Sequence, residues 1–122
     1  MATTALSPQS KSYHRSWVIE WLTTVDHKKI GILYILNSFF FFFAAGILAL
    51  LVRSELAVPG LQFIDEGTYN QAFTMHGTVM VFLFIVPVLS GFANYIVPLQ
   101  IGAPDMAFPR INALSFWFLP LG

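Results

Sequence analysis

The sequence predicts an all-α membrane protein with two complete transmembrane helices and the start of a third, and three observations predict it. Residues 30–52 contain no Asp, Glu, Lys or Arg, and neither do residues 67–104. The 122 residues are 57% hydrophobic and only 10% charged, against about 25% charge in a soluble domain. So few charges would be hard to spread into a water-facing shell. Six basic and six acidic side chains cancel, which argues against nucleic acid as a partner. Cys is absent, which excludes disulfides, thiolate metal sites and thiol nucleophiles. No phosphate-binding loop, paired-carboxylate site or nucleophilic triad is visible.

Residues 1–16 are polar or small, and no apolar run starts near Met1. A disordered tail is expected there, with no secretory signal. Residues 17–122 follow as one membrane unit. Trp17 and Trp21, beside a span, suit an interfacial anchor; a loop with buried aromatics is the alternative. Asp26 can cap a helix by accepting a backbone N–H bond. The first helix is expected over about 27–56, and its charge-free stretch would reach roughly 35 Å, enough to cross hydrocarbon. Five consecutive Phe, 39–43, make it apolar on every side. Arg53 and Glu55 mark its end, and Pro59-Gly60 marks a turn.

The second helix is expected over about 68–97, tilted or projecting beyond the bilayer. Pro87 removes the bond to the carbonyl of Leu83 and predicts a kink. Pro98, Pro104 and Pro109 punctuate a connector, and a third helix starts from about 111. Its apolar run covers only half a span by Gly122, so the sequence reads as cut. Lys11, Arg15, Lys28 and Lys29 precede the first helix and Arg110 the third, while the loop between the spans holds one Arg and three acids. The positive-inside rule then puts the N-terminus and the second connector in the cytoplasm.

Within this frame His76 is the sharpest signal. A polar ring in hydrocarbon needs a partner. A neutral imidazole can give one nitrogen to a metal while the other N–H donates to an oxygen, and Gly77 beside it would admit a flat ligand. A hydrogen bond to a neighbouring helix is the alternative, and position alone does not separate the two. Arg53, near the outer end of the first helix, is expected at a depth similar to His76. There it could hydrogen-bond a polar substituent of a haem and raise its potential; snorkelling to the interface is the other reading. Asn94 lies eighteen residues, or five turns, from His76 on the same face, about 27 Å away before any kink. With Asn112 and waters it could form a polar line whose mouth is Asp105, though from the residues alone a solvated loop Asp beside Pro104 is the favoured reading. Glu55, Gly60 and Asp65 offer oxygen ligands to a hard cation, and ordinary loop polarity would place them there too.

These motifs resemble a known family. Asp26-His27-Lys28-Lys29-Ile30-Gly31 is similar to the approach to helix 1 of haem–copper oxidase subunit I, and Leu51-Val52-Arg53-Ser54-Glu55-Leu56 to the end of that helix. Thr74-Met75-His76-Gly77-Thr78-Val79-Met80 resembles its haem-ligand segment. Asn94-Tyr95, Pro98-Leu99 and the run Ile101-Gly102-Ala103-Pro104-Asp105-Met106-Ala107-Phe108-Pro109-Arg110-Ile111-Asn112 resemble the connector before helix 3. Leu56 to Phe63 and Phe92-Ala93-Asn94-Tyr95 look bacterial, as in aa3-type cytochrome c oxidases.

The resemblance implies part of a twelve-helix bundle in a bacterial plasma membrane, N-terminus cytoplasmic. By it His76 is an axial ligand of a low-spin haem a, Arg53 touches the formyl group of that haem, and Asp105 opens a proton pathway lined by Asn94 and Asn112. Glu55 and Gly60 match a peripheral cation site. The family reduces O2 to water at haem a3 paired with copper and pumps protons. The ligands of that centre fall in later helices, so this fragment lacks the oxygen-reducing centre. Subunits II and III, cytochrome c as donor and membrane lipid are the implied partners. A quinol oxidase of the same superfamily and a non-enzymatic membrane anchor are the alternatives.

Overall fold

The computed structural model describes residues 16–122. Apart from Ser16, the tail expected over residues 1–16 lies outside the described residues. The regular structure of the described residues is all helical: α1 (Trp17–Leu22), α2 (His27–Glu55), α3 (Glu66–Val79), a π-helical turn (Met80–Ile85), α4 (Val86–Gln100) and α5 (Pro109–Leu121). Two helices are long and apolar enough to cross a membrane: α2, and the continuous rod Glu66–Gln100 formed by α3, the π turn and α4.

Local chemistry sets the ends. The Asp26 carboxylate accepts the Lys28 N–H at 3.1 Å and caps α2. Asp65 caps α3 by accepting the N–H groups of Gly67 and Thr68 at 3.0 and 3.3 Å. Gly60 and Gly102 take positive φ (97° and 71°), where a side chain would be strained. Gly102 thereby terminates α4, and Pro109, whose missing N–H costs nothing in a first turn, starts α5. In short α1, the rings of Trp17 and Trp21 pack at a tilt of 50° with centroids 5.8 Å apart. Glu20 pairs with Lys29, whose ammonium lies over the Trp21 ring, 5.9 Å from its centroid.

Around Pro87 the chain departs from a simple kink. The Val86 N–H bonds the carbonyl of Val81, five residues back instead of four. The helix widens for one turn just before the proline, which spreads the disruption instead of breaking the rod. Phe84 on this turn packs against Phe42 (centroids 4.7 Å) and Phe39 (6.0 Å) of α2. Phe40 and Phe43 stay 68% exposed on the opposite side, an apolar surface suited to lipid or further helices.

The α2–α4 crossing depends on two glycines. A Cβ on Gly31 would lie 2.9 Å from the Gly91 carbonyl oxygen, and one on Gly91 would lie 2.9 Å from that of Gly31. Small residues let backbones approach where no water drives helices together. α5 packs on α2 through Ile30, Tyr34 and Phe116, with Tyr34 and Phe116 edge-to-face at 5.1 Å.

Candidate functional site

Two groups of side chains stand out, at different depths. The first is centred on His76, half-buried, one turn before the π turn. Its Nδ1 lies 2.9 Å from the carbonyl oxygen of Ala45, a fully buried residue of α2. A carbonyl only accepts, so Nδ1 carries the hydrogen and Nε2 keeps a free lone pair. This is the arrangement a metal-bound histidine uses, with one nitrogen held by an oxygen and the other presented outward. A Cβ on Gly77 or on Gly46 would meet nothing within 4 Å. The surface around the ring is therefore open to a flat ligand, and the residues fit a haem held through Nε2. Among the described residues no three His, Cys, Asp or Glu side chains gather into a metal cage, so His76 offers a single ligand.

Arg53 is exposed and forms no ion pair among the described residues. The expectation of equal depth needs correction. His76 is level with Ala45, and Arg53 lies eight residues further along α2, about 12 Å nearer its C-terminal end. The five-turn alignment of Asn94 with His76 is corrected as well. The π turn between them inserts one residue against α-helical counting, which shifts the phase by about 100°.

The second group lies where the α4–α5 connector meets the foot of α2. Asp105, in that connector, accepts the Met106 N–H at 2.7 Å, and its Oδ1 lies 3.1 Å from Nδ1 of His27. Partial burial pushes the Asp105 pKa up, but the Met106 N–H and then His27 outweigh it and hold the carboxyl below its ordinary value. It is thus ionised at neutral pH. Asn94 is buried in α4, and Pro98 four residues later supplies no N–H to its backbone carbonyl. Asn112, at the start of α5, has a buried Nδ2 without a partner among the described residues. Three residues on, Ser115 donates its hydroxyl hydrogen to the Asn112 carbonyl at 2.7 Å, so the Tyr34 hydroxyl donates to Ser115 Oγ at 2.9 Å.

Sequence reasoning missed His27, Tyr34 and Ser115 as parts of this group. The only signal for His27 was a histidine beside a capping Asp at the start of an apolar span.

Around the loop between α2 and α3, Glu55 and Gly60 line one cavity of about 560 Å³. The Glu55 carboxylate accepts the N–H groups of Gln62, Phe63 and Ile64 at 2.6, 2.8 and 3.2 Å. Asp65 does not join them, because it caps α3.

An imidazole presented from an apolar rod, and an ionised carboxylate at the end of a polar seam between helices, mark an all-helical chain with two helices long and apolar enough to cross a membrane among the described residues. Residues 29–122 match the family described as Cytochrome C and Quinol oxidase polypeptide I, and the chain belongs to that family. It is 56% identical over 105 residues to a putative cytochrome c oxidase subunit 1-beta of Streptomyces avermitilis, covering 86% of this chain and 19% of that protein. It is 55% identical over 117 residues to cytochrome c oxidase subunit 1 of Corynebacterium efficiens, covering 94% of this chain and 20% of that one. For the Corynebacterium diphtheriae subunit 1 the identity is 48% over 132 residues, with 98% and 23% covered. The chain thus spans about a fifth of the length of the curated relatives it matches.

Proposed function

We infer that this chain is a segment of subunit I of a bacterial aa3-type terminal oxidase, carrying one axial ligand of a low-spin haem a and the mouth of a proton-uptake path. The observation that carries the reading is the bond from His76 Nδ1 to the Ala45 carbonyl. It fixes the tautomer and aims Nε2 away from α2. A haem bound there supplies one-electron transfer. His76 holds and orients the group, and the lone pair fixed by Ala45 makes the imidazole a better donor. The apolar faces of α2 and α3 exclude water from the ring. Arg53 is the proposed partner of a polar haem substituent. Asp105 accepts protons from the aqueous side, and Asn94 and Asn112 hold the waters that carry them inward. Glu55 and Gly60 are proposed oxygen ligands of a peripheral cation. Their shared cavity supports this reading.

In the whole subunit the reading includes haem a3 and copper, with O2 reduced to water and protons pumped. Subunits II and III and a cytochrome c donor complete it, in the plasma membrane with the N-terminus in the cytoplasm. The relatives' names favour cytochrome c as the donor. The family's description also admits quinol; turnover of the purified oxidase with each reductant decides between them.

The test is His76→Ala in the complete oxidase. The low-spin haem band should vanish, and pyridine haemochrome analysis should show one haem fewer per complex. An unchanged spectrum overturns the assignment and leaves a membrane anchor without this cofactor.

A further inference from the structure

α1 is six residues long and buries none of them, yet five of the six are apolar. A helix so short does not persist in water by itself. Two contacts of Lys29 hold it at the foot of α2: the ammonium pairs with Glu20 and lies over the Trp21 ring. Glu20 and Trp21 therefore mark the side of α1 turned toward Lys29. By helical spacing Val18, Ile19 and Leu22 fall on the other side, and all three are exposed.

The same contacts fix the depth of α1. Lys29 is the last charged residue before the charge-free run 30–52 of α2, and α1 lies level with it. Where α2 crosses a bilayer, α1 is at the level at which hydrocarbon gives way to headgroups. An exposed apolar helix face beside a pair of tryptophans suits that layer. The α4–α5 connector reaches the same level. His27 meets Asp105 and Tyr34 meets Ser115, so α5 climbs alongside α2 in the same direction. Arg110, five residues before Ser115, is then level with Lys29, five before Tyr34. Arg110 lines a cleft of about 370 Å³ with Ala107, Phe108, Pro109 and Ile111. The cleft combines one guanidinium with apolar walls, and Phe108 is 71% exposed.

Charge at this level is unbalanced. The carboxylates are all engaged within the chain: Glu20 by Lys29, Asp26 by the Lys28 N–H, and Asp105 by the Met106 N–H and His27. Of the Lys and Arg side chains only Lys29 is paired. Lys28 and Arg110 are exposed and form no ion pair among the described residues. At the other end of α2 the balance is reversed, with Arg53 beside Glu55, Asp65 and Glu66. Unpaired cations at headgroup level, set among exposed apolar side chains, complement an anionic phospholipid, whose headgroup takes the cation and whose acyl chains take the apolar wall.

We propose that the end of the bundle where α2 starts is an anionic-phospholipid surface. Lys28 and Arg110 hold the headgroups, and acyl chains cover the Val18–Leu22 face of α1 and the apolar walls of the Arg110 cleft.

The experiment uses the complete oxidase in phosphatidylcholine vesicles that carry equal traces of two photoreactive lipids, phosphatidylglycerol and phosphatidylcholine, each with a diazirine near the top of one acyl chain. Adducts formed on illumination are mapped by peptide mass spectrometry, and haem spectra establish that each variant is folded and loaded. On the peptides holding Trp17–Lys28 and Phe108–Ile111, phosphatidylglycerol adducts should exceed phosphatidylcholine adducts by roughly fivefold, the effect of one basic side chain near an anionic lipid. Lys28→Gln with Arg110→Gln should bring the ratio close to one and leave labelling of Phe40 and Phe43 unchanged. Arg110→Lys keeps the charge and should keep the preference. Equal labelling by the two lipids in the parent overturns the proposal without any variant. So does an absence of adducts from both peptides, which would mean that protein covers them. A preference that survives the double substitution removes Lys28 and Arg110 from the site. A preference abolished by inorganic phosphate at constant ionic strength assigns the cations to a soluble anion and overturns the lipid.

Discussion

Gly31 and Gly91 meet backbone to backbone, each standing where a Cβ on the other would lie 2.9 Å from a carbonyl oxygen. Neither oxygen is the free end of a side chain, so an added methyl must move a helix. Gly91→Ala should destabilise the α2–α4 pair by roughly 1–3 kcal/mol, the usual range for overpacking. Phe40→Leu, on the exposed face of α2, should be close to neutral. Thermal loss of the haem spectrum in detergent, compared between the two variants, checks this.

Ala45 is fully buried where α3 carries His76 against α2. Ala45→Leu leaves the carbonyl in place but forces the helices apart. The bond to Nδ1 should lengthen, and the low-spin haem should bind with a higher reduction potential, because a poorer donor stabilises ferric iron less, or be partly lost. Redox titration of the low-spin band measures it. A potential equal to the parent's would mean that the Ala45 contact does not tune the ligand.

The contacts of Asp105 favour its ionised form, so its folded pKa lies below the ordinary 3.8. A depressed acid contributes stability that is fully present above the ordinary value and is lost as pH falls through the folded one. Asp105→Ala should therefore speed amide exchange at Met106 at neutral pH. The gap between variant and parent should close below about pH 3.8. A gap that persists once the pH is below the folded value as well would assign the protection to packing instead of charge.

Glu55 ties down the loop after α2 by accepting three successive N–H groups. Glu55→Ala should open that loop to proteolysis between Leu56 and Asp65, with α2 and α3 intact. If the cavity shared with Gly60 holds a cation, calcium should protect the parent further and leave Glu55→Ala unprotected. Equal protection of both by calcium would remove Glu55 from the ligand set.

Much of this was legible in the sequence because hydrocarbon imposes a simple rule. A stretch without ionisable groups, long enough to cross, has few alternatives to a helix. That rule located α2 and the rod Glu66–Gln100, although the rod starts two residues before and ends three after the expected 68–97. The Asp26 cap followed from the same local reasoning. The π turn did not. Pro87 announces a missing N–H, but where the remaining bonds re-form depends on Phe84 finding Phe39 and Phe42 on another helix. The pairing of His27 with Asp105 spans 78 residues and leaves no periodic trace. Gly31 and Gly91 were likewise silent, since a glycine's purpose in a crossing shows only once the partner backbone is beside it.

The widened turn at Met80–Ile85 also divides one rod into two independently indexed pieces. Below it, angular position is counted from Pro87, which sets Gly91 against Gly31 and buries Asn94. Above it, the count runs back to the Asp65 cap and aims His76 at Ala45. Removing a single residue from the turn would swing one set by about 100° against the other, so a contact on either side could survive only by giving up its counterpart. The surplus residue works as a spacer that lets both alignments be met by one continuous strand of chain.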